Sequence, residues 1–475
     1  MGKVAFYALF AIAAAAGAQD WDRFRGPNGA GISNHGGLPA VLDVEKTLRW
    51  KATVPPGHSS PIITHGRVFM TGYEGDRLIV LCYLLDDGRL SWKQDAPRPR
   101  KEKVDARNSP ASPTPASDGT SLFVFFGDFG LLSYTFDGKE RWRTPLGPFH
   151  NIYGMGASPL VVDGRVIVVA DHGPSSWIAA FRSSDGKQVW KTARPEALSG
   201  ASTPIVWRPK QGPAQVIAPA SFRVDAYSVE TGEPVWWVRG LPSEMKSTPS
   251  LATVNGEEIL IVSGYNAPEN EPGKQVAIED FPEILKRDDA DRDGKISKAE
   301  APDRRAEMYF PYLDLDHDGL LDAAEWKTYQ NTMQALNSIL ALRPGGAGDV
   351  TESAVRWKYF KSVPQCPSPL LLDGLIYMLR DNGVLSVLEA ATGTLLRESR
   401  VRGLAEPYYA SPVAAGGAVW FASHKGVVTA MAPGREEKLL GVTDFGEEIT
   451  ATPAFADGRM VVRTSQAVYC FATRR

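Results

Sequence analysis

Cysteine is scarce in this chain of 475 residues: only Cys82, Cys366 and Cys470 are present. Their number is odd and no two stand at a metal-binding or redox spacing, which argues against a disulfide framework, a zinc ribbon and a C-x-x-C centre. Cys82 and Cys470 occupy the place that Ala180 and Ala226 hold in a repeat described below, and read as small buried residues. Histidine is also sparse, at seven residues, with neither H-E-x-x-H nor H-x-x-x-H among them. No G-x-S-x-G elbow, P-loop or dinucleotide fingerprint occurs in a strand-to-helix setting. There is no dense Lys/Arg run either, which removes nucleic acid as an expected partner.

The one long apolar run lies at the start. Lys3, the stretch Val4 to Ala16 and the small residues Ala16-Gly17-Ala18 before Gln19 form an export signal over residues 1–18, too short and too weakly flanked to span a membrane. No cysteine follows the cleavage point, so a lipid anchor there is excluded. The mature chain is expected to be exported, periplasmic or secreted, without a transmembrane segment.

What the sequence does have is 45 Gly, 35 Pro and 12 Trp, a composition of short strands and turns, and one concentrated acidic stretch. Residues 279–325 hold 15 acidic and 7 basic side chains, a balance of −8, while the rest of the chain carries 40 acidic and 45 basic, a balance of +5. Within the acidic stretch the pattern D-x-D-x-D-G-x5-E occurs twice. Asp289, Asp291 and Asp293 precede Gly294 and Glu300; Asp314, Asp316 and Asp318 precede Gly319 and Glu325. A calcium ion takes six to eight hard oxygens, and this spacing wraps carboxylates of positions 1, 3 and 5 around it, with glycine at the sharpest point of the turn. Lys295 and Leu320 contribute backbone carbonyls at position 7, Ser297 and Asp322 stand at position 9, and Glu300 and Glu325 close each shell. Ile296 and Leu321 at position 8 can pair side by side. The stretch is a pair of EF-hands expected to bind two calcium ions, and the metal should order a patch that otherwise repels itself.

The prolines reveal a repeat. Ser60-Pro61, Ser112-Pro113, Ser158-Pro159, Thr203-Pro204, Thr248-Pro249, Ser368-Pro369, Ser411-Pro412 and Thr452-Pro453 are separated by 52, 46, 45, 45, 120, 43 and 41 residues. A unit of about 45 residues is a propeller-blade period. Each Pro stands at the first residue of a strand, where a missing N–H is tolerated. Asp118-Gly119, Asp163-Gly164, Asn255-Gly256, Asp373-Gly374 and Asp457-Gly458 mark two-residue hairpins. Fourth strands carry Trp92, Trp142, Trp190, Trp236 and Trp357, with Leu396 and Leu439 in units six and seven; these aromatics are expected to pack between blades. Unit eight runs out of chain after three strands, and Leu48-Arg49-Trp50-Lys51 supplies a fourth. The expected fold is therefore all-β: an eight-bladed propeller of four-stranded blades, closed by an N-terminal strand so that no sheet edge is left open.

The long gap falls in unit five. Ile259 to Ser263 reads as its second strand, Ser338 to Arg343 as its third and Arg356 to Lys358 as its fourth, so the EF-hand pair is inserted between strands two and three. Phe281 to Arg287 and Ala323 to Leu336 suit the outer helices, and Ala301 to Leu313, with Pro302 and Pro311, the inner ones. This gives an N-terminal extension over 19–47, blades over 48–266 and 337–475, and the insertion over 267–336.

Ala226-Tyr227-Ser228-Val229-Glu230-Thr231-Gly232-Glu233-Pro234-Val235-Trp236 resembles the A-x-D-x-x-T-G-x-x-x-W docking motif of the quinoprotein-like propellers, those built from pyrroloquinoline-quinone-type (PQQ-type) repeats, with Ser228 in place of Asp. The opening Trp21-Asp22-Arg23-Phe24-Arg25-Gly26-Pro27-Asn28 is similar to the starts of secreted bacterial members, and reads as a loop lying on the propeller. The resemblance implies one of two roles. Dehydrogenases of the family hold the quinone under a disulfide of adjacent cysteines with a calcium beside it, and this chain has no Cys-Cys pair. A non-enzymatic branch uses the ring for protein contacts.

Segments just before each first strand crowd one mouth of such a ring. Here they offer His58, Arg107, Asn108, Tyr153, Lys246, Gln365, Tyr408, Tyr409 and Glu448 as a rim for a small ligand or a protein partner. The sequence thus leads to a monomeric, calcium-binding propeller acting as a binding or assembly scaffold, without catalytic residues; the alternative is a PQQ-dependent dehydrogenase oxidising an alcohol or sugar at the channel mouth.

Overall fold

A computed structural model describes residues 20–473, so the expected export signal over residues 1–18 lies outside the described residues. Eight antiparallel sheets follow one another around a central channel, each in the order first to fourth strand from the channel outwards. Blade three shows the plan: Leu160–Val162, Arg165–Ala170, Trp177–Arg182 and Gln188–Ala193 pair in sequence order. The middle strands are buried on both faces and the fourth alternates, with only Trp190 fully covered within its strand.

Leu48–Thr53 pairs antiparallel with Ala467–Ala472, so blade eight is completed from the other end of the chain. Arg463 fastens that closure. Its buried guanidinium donates to the carbonyls of Ser59, Thr71 and Pro55 and to Ser59 Oγ, all in or next to blade one.

Blades dock through tryptophan. The indole Nε1 of Trp50, Trp92, Trp142, Trp190 and Trp357 donates to a carbonyl of the next blade at 2.8–3.0 Å. Each ring lies against a glycine of that blade: Gly88, Gly138, Gly186, Gly232 and Gly393, where a Cβ would stand 2.4–2.7 Å from the indole. These glycines adopt positive φ, so the turn and the indole both demand the missing side chain. Trp236 packs between blades four and five as expected, but its hydrogen bond differs from the others. Its Nε1 donates to Gln215 of its own blade, because the third turn of blade five is replaced by the loop from Arg343, whose Gly348–Asp349 adds a parallel fifth strand to blade four.

A second belt runs round the channel. The backbone N–H of Ser60 donates to Thr114 Oγ1, Thr114 to Ser158, Ser158 to Thr203, Thr248 to Ser368, Ser368 to Ser411, Ser411 to Thr452, and Thr452 back to Ser60, all at 2.9–3.0 Å. Unit two therefore enters its blade at Thr114-Pro115, and the expected landmark Ser112-Pro113 is one dipeptide early. Between Thr203 and Thr248 the belt is carried instead by Ser202 Oγ donating to the Ser247 carbonyl.

The N-terminal segment is not a loop lying on the ring. It runs inside the channel, pairing with the free inner edges of the first strands. Trp21 exchanges backbone hydrogen bonds with Ile63, the Asp22 carbonyl accepts from Ser117, Asn28 clasps both backbone groups of Val206, and Gly31 and Ser33 bracket Ala414. Arg25, fully buried, reaches the Pro369 carbonyl.

The insertion leaves blade five between Glu257–Gly264 and Ser338–Leu342. Its helices are α1 (Phe281–Asp288), α2 (Arg304–Leu313) and α3 (Ala323–Gln334), around a core of Ile284, Ile296, Phe310, Leu321, Trp326 and Met333 that is separate from the blade cores. Asn266, Asn270 and Asn337 lock the stem: Asn270 Nδ2 donates to the Thr332 and Ala335 carbonyls, and Asn337 Nδ2 to that of Ala267.

Candidate metal centre and channel mouth

The two acidic loops adopt matching geometry. Gly294 N–H donates to Asp289 at 3.0 Å and Gly319 N–H to Asp314 at 3.1 Å, which turns the position-1 carboxylate into each loop. Ile296 pairs with Leu321, and Ser297 with Leu320, in a short antiparallel bridge that joins the two hands. Carboxylate oxygens of Asp289, Asp291 and Asp293 lie within 4.8 Å of one another, as do those of Asp314, Asp316 and Glu325.

The expected ligands Glu325, Glu300 and Asp318 also hold protein partners: Glu325 accepts from the backbone of Leu315 and Asp322. Glu300 accepts from the backbone of Ala290 and Ser297 and from Ser297 Oγ, and Asp318 is held by Lys295 Nζ at 2.5 Å. Ser297 and Asp322 at position 9 cap the helical turns that follow, each facing the position-12 glutamate. Lys295 and Leu320 stand where their carbonyls close the turn. The donor set is all oxygen, suited to a hard divalent cation. In the second loop Asp314 Oδ1 is buried without a protein partner, and burial pushes the Glu325 carboxyl above its ordinary range. A cation there would relieve both.

The channel mouth is a cavity of about 330 Å³. It gathers His58, Arg107, Asn108, Tyr153, Lys246, Gln365 and Tyr409 from six inter-blade segments. Glu448 does not join them: it opens onto a separate side groove with Arg463 and Ser465, and Thr450 takes its place in the cavity wall. Tyr408 is core. Phe24 of the N-terminal segment reaches the cavity from below, so the channel is blind and is reached from one face.

The charges of the mouth are paired internally. Arg107 is bidentate to Asp105, and its pKa is raised by that hydrogen bond. Burial works to lower the Lys246 ammonium, but Glu244, 2.5 Å away, holds it above its usual value; the ammonium also sits over the Tyr153 ring at 4.5 Å. Tyr153 Oη donates to Glu244 at 2.7 Å. Burial, with the charges of Arg463 and His424, drives His58 down to about 4. Sequence reasoning missed Asp105, Asn151, Cys366 and Asp381. Asp381 stands on the turn between strands two and three of blade six, accepting the N–H groups of Gln365 and Cys366, and burial raises its carboxyl. The Cys366 thiol is pushed up to about 12 by burial.

The acidic lobe and the mouth are neighbours. A second cavity of about 380 Å³ lies between them, walled by Tyr309, Tyr312 and Met333 on the lobe and by His150, Tyr153 and Glu244 on the ring. Tyr312 meets Tyr153 at 6.2 Å between ring centroids, and His317 meets His150 at 5.8 Å.

A family model described as outer membrane protein assembly factor BamB, from the PQQ-type repeat set, matches residues 80–276, and one described as EF hand matches residues 309–328. Over residues 80–276 the repeats are thus similar to the PQQ-type set. Among solved structures, this eight-bladed propeller is similar to BamB from Moraxella catarrhalis (13% identity, 90% of this chain and 98% of that one, TM-score 0.57). It is similar to a europium-containing methanol dehydrogenase (13%, 96% and 98%, TM-score 0.58) and to the quinohemoprotein alcohol dehydrogenase ADHIIG from Pseudomonas putida HK5 (14%, 96% and 80%, TM-score 0.55). At these identities the likeness is one of fold, shared by an assembly factor and by dehydrogenases. Comparison with curated proteins gives no match. No helix among the described residues is long and apolar enough to cross a membrane.

Proposed function

We propose that this chain is an exported, calcium-binding propeller that serves as a binding scaffold, holding a protein or small-molecule ligand at the channel mouth beside its EF-hand lobe. The observation that carries this reading is the convergence of seven polar and aromatic side chains from six inter-blade segments on one cavity, flanked by a lobe with two hard-oxygen loops. Asp289, Asp291, Asp293 and Glu300, with the Lys295 carbonyl and Ser297, hold one ion; Asp314, Asp316, Asp318 and Glu325, with the Leu320 carbonyl and Asp322, hold the other. The chemistry calcium supplies here is charge neutralisation and cross-linking of the loops.

Isothermal calorimetry on the mature chain should give about two calcium ions per chain, as two EF-hand loops require. Asp289→Ala combined with Asp314→Ala should abolish the heat, and unchanged heat in that variant would overturn the reading. Supplying the quinone and following dye reduction with alcohols and sugars addresses the redox alternative: quinone-dependent turnover would replace the scaffold role with an enzymatic one.

A further inference from the structure

The second hand is built into the wall of the channel's approach, whereas nothing in its calcium chemistry requires it to touch the ring. We infer that calcium in the second hand holds the lobe against blades three and four and so controls access to the channel mouth. The inference rests on the calcium reading above and adds to it a place and a consequence for one of the two ions.

Topology puts the two features on one face. Within each blade the first strand runs away from the mouth and the second returns to it, so loops between strands two and three open on the same side as the segments that precede first strands. The insertion is such a loop. The cavity beneath it shares Arg107, Tyr153 and Ser199 with the channel mouth, which makes it a vestibule to the blind channel.

The contact with the ring is made by the metal loop itself. Leu315, at position 2, places its carbonyl oxygen 3.4 Å from where a Cβ on Gly173 of blade three would stand. The N–H of the same residue donates at 2.7 Å to Glu325, the position-12 carboxylate. Glu325 is thus linked to the ring contact through one hydrogen bond and the backbone of a single residue. His317, at position 4, packs on His150, and Tyr312, two residues before the loop, packs on Tyr153, whose hydroxyl continues to Glu244 and Lys246. The first hand has no comparable contact with the ring among the described interactions; its link to the second is the Ile296–Leu321 bridge.

Without an ion, Asp314, Asp316, Asp318, Asp322 and Glu325 repel one another, and the segment that touches blade three is the one that loosens. The stem stays fixed, because the Asn266, Asn270 and Asn337 network closes on blade five without any carboxylate. The motion this permits is a tilt of the lobe about that stem, with the Tyr312 and His317 side of the vestibule opening first. A ligand that bridges vestibule and channel would, reciprocally, tighten calcium in the second hand.

The chain carries its own reporter. Cys366 lines the mouth, while Cys82 and Cys470 are buried in blades. The rate of Cys366 alkylation by a maleimide at pH 8 should be about fivefold or more slower at saturating calcium than with chelator, the lower end of ordinary coupling between sites. A Cys366→Ser chain supplies the background. The calcium dependence should persist in Asp289→Ala and vanish in Asp314→Ala. His317→Gly provides a variant that folds its loop readily, since the position has φ 62°. It should still bind calcium by calorimetry yet lose most of the protection of Cys366. Equal alkylation rates with and without calcium, in a sample whose calorimetry shows ion binding, would overturn the inference while leaving the calcium reading in place. Dependence that follows Asp289 in place of Asp314 would overturn it as well.

Discussion

His58 shows how a single side chain records its surroundings. It lies at the junction of blades eight and one, beside Arg463, and stays neutral down to about pH 4. In the unfolded chain an imidazole takes up its proton near pH 6.5. Between these values the unfolded state binds more protons, so stability is fully present above about pH 6.5 and is lost as the pH falls towards 4. Urea midpoints measured from pH 7 down to pH 4.5 should decline, and His58→Gln should flatten that decline; an identical slope in the variant would remove His58 as its source. The neighbouring Arg463 spends its donors on backbone and hydroxyl oxygens of blade one without a carboxylate, and that choice could not be read from sequence, since it depends on two ends of the chain meeting.

At the scale of an element, the tryptophan docks and the hydroxyl belt do the same task at the outer and inner edges of the blades. Gly186 illustrates the outer one: φ is 72° and a Cβ would lie 2.4 Å from Trp142. Gly186→Ala should cost about 3 kcal/mol, combining left-handed strain with overpacking. Gly164 has a similar φ of 70° but open space around it, so Gly164→Ala should cost only about 1 kcal/mol. Comparing the two thermal midpoints separates strain from docking, and equal losses would show that the indole contact adds nothing. Sequence spacing revealed the repeat because proline and tryptophan recur at fixed places within a blade. It went astray at Ser112-Pro113-Thr114-Pro115, where two dipeptides offer the same local chemistry and only the belt's geometry selects the second. Trp236 was placed correctly between blades four and five, but its bond to Gln215 was not legible, because the turn that would accept it is replaced in blade five by the loop from Arg343.

Across the whole molecule, the lobe has its own hydrophobic core and its own charge, so it should respond to chelation by itself. Trypsin with chelator should cut at sites such as Arg287, Lys295 and Arg304, while the blades stay intact and the two halves remain joined through blade five. Resistance to trypsin that does not depend on calcium would contradict this. The metal loops were legible because their ligands sit within twelve consecutive residues. Seven rim residues were legible because the strand order assigns them to one face. That the lobe overhangs the same mouth was not read from the sequence, because the contact is made by side chains such as His150 and Tyr153, whose partners on the lobe lie more than 150 residues away. Glu448 failed because its segment enters the channel only two residues later, at Thr450, leaving Glu448 on the side groove beside Arg463. The channel segment from Trp21 to Ser33 had no legible partner, since it pairs with strand edges that exist only once the ring is assembled.

That last feature bears on how the molecule comes into being. The first residues of the described chain seal the channel from within, and Leu48–Thr53 completes a sheet whose other strands are the last to be made. The earliest part of the chain must therefore wait for the latest. Such pairing across nearly the full length is slow, because loop closure precedes any reward. Until it happens, blade eight lacks its outermost strand and the inner edges that Trp21 to Ser33 will cover stand bare. Folding order is thereby imposed on a ring that, seen finished, has no beginning.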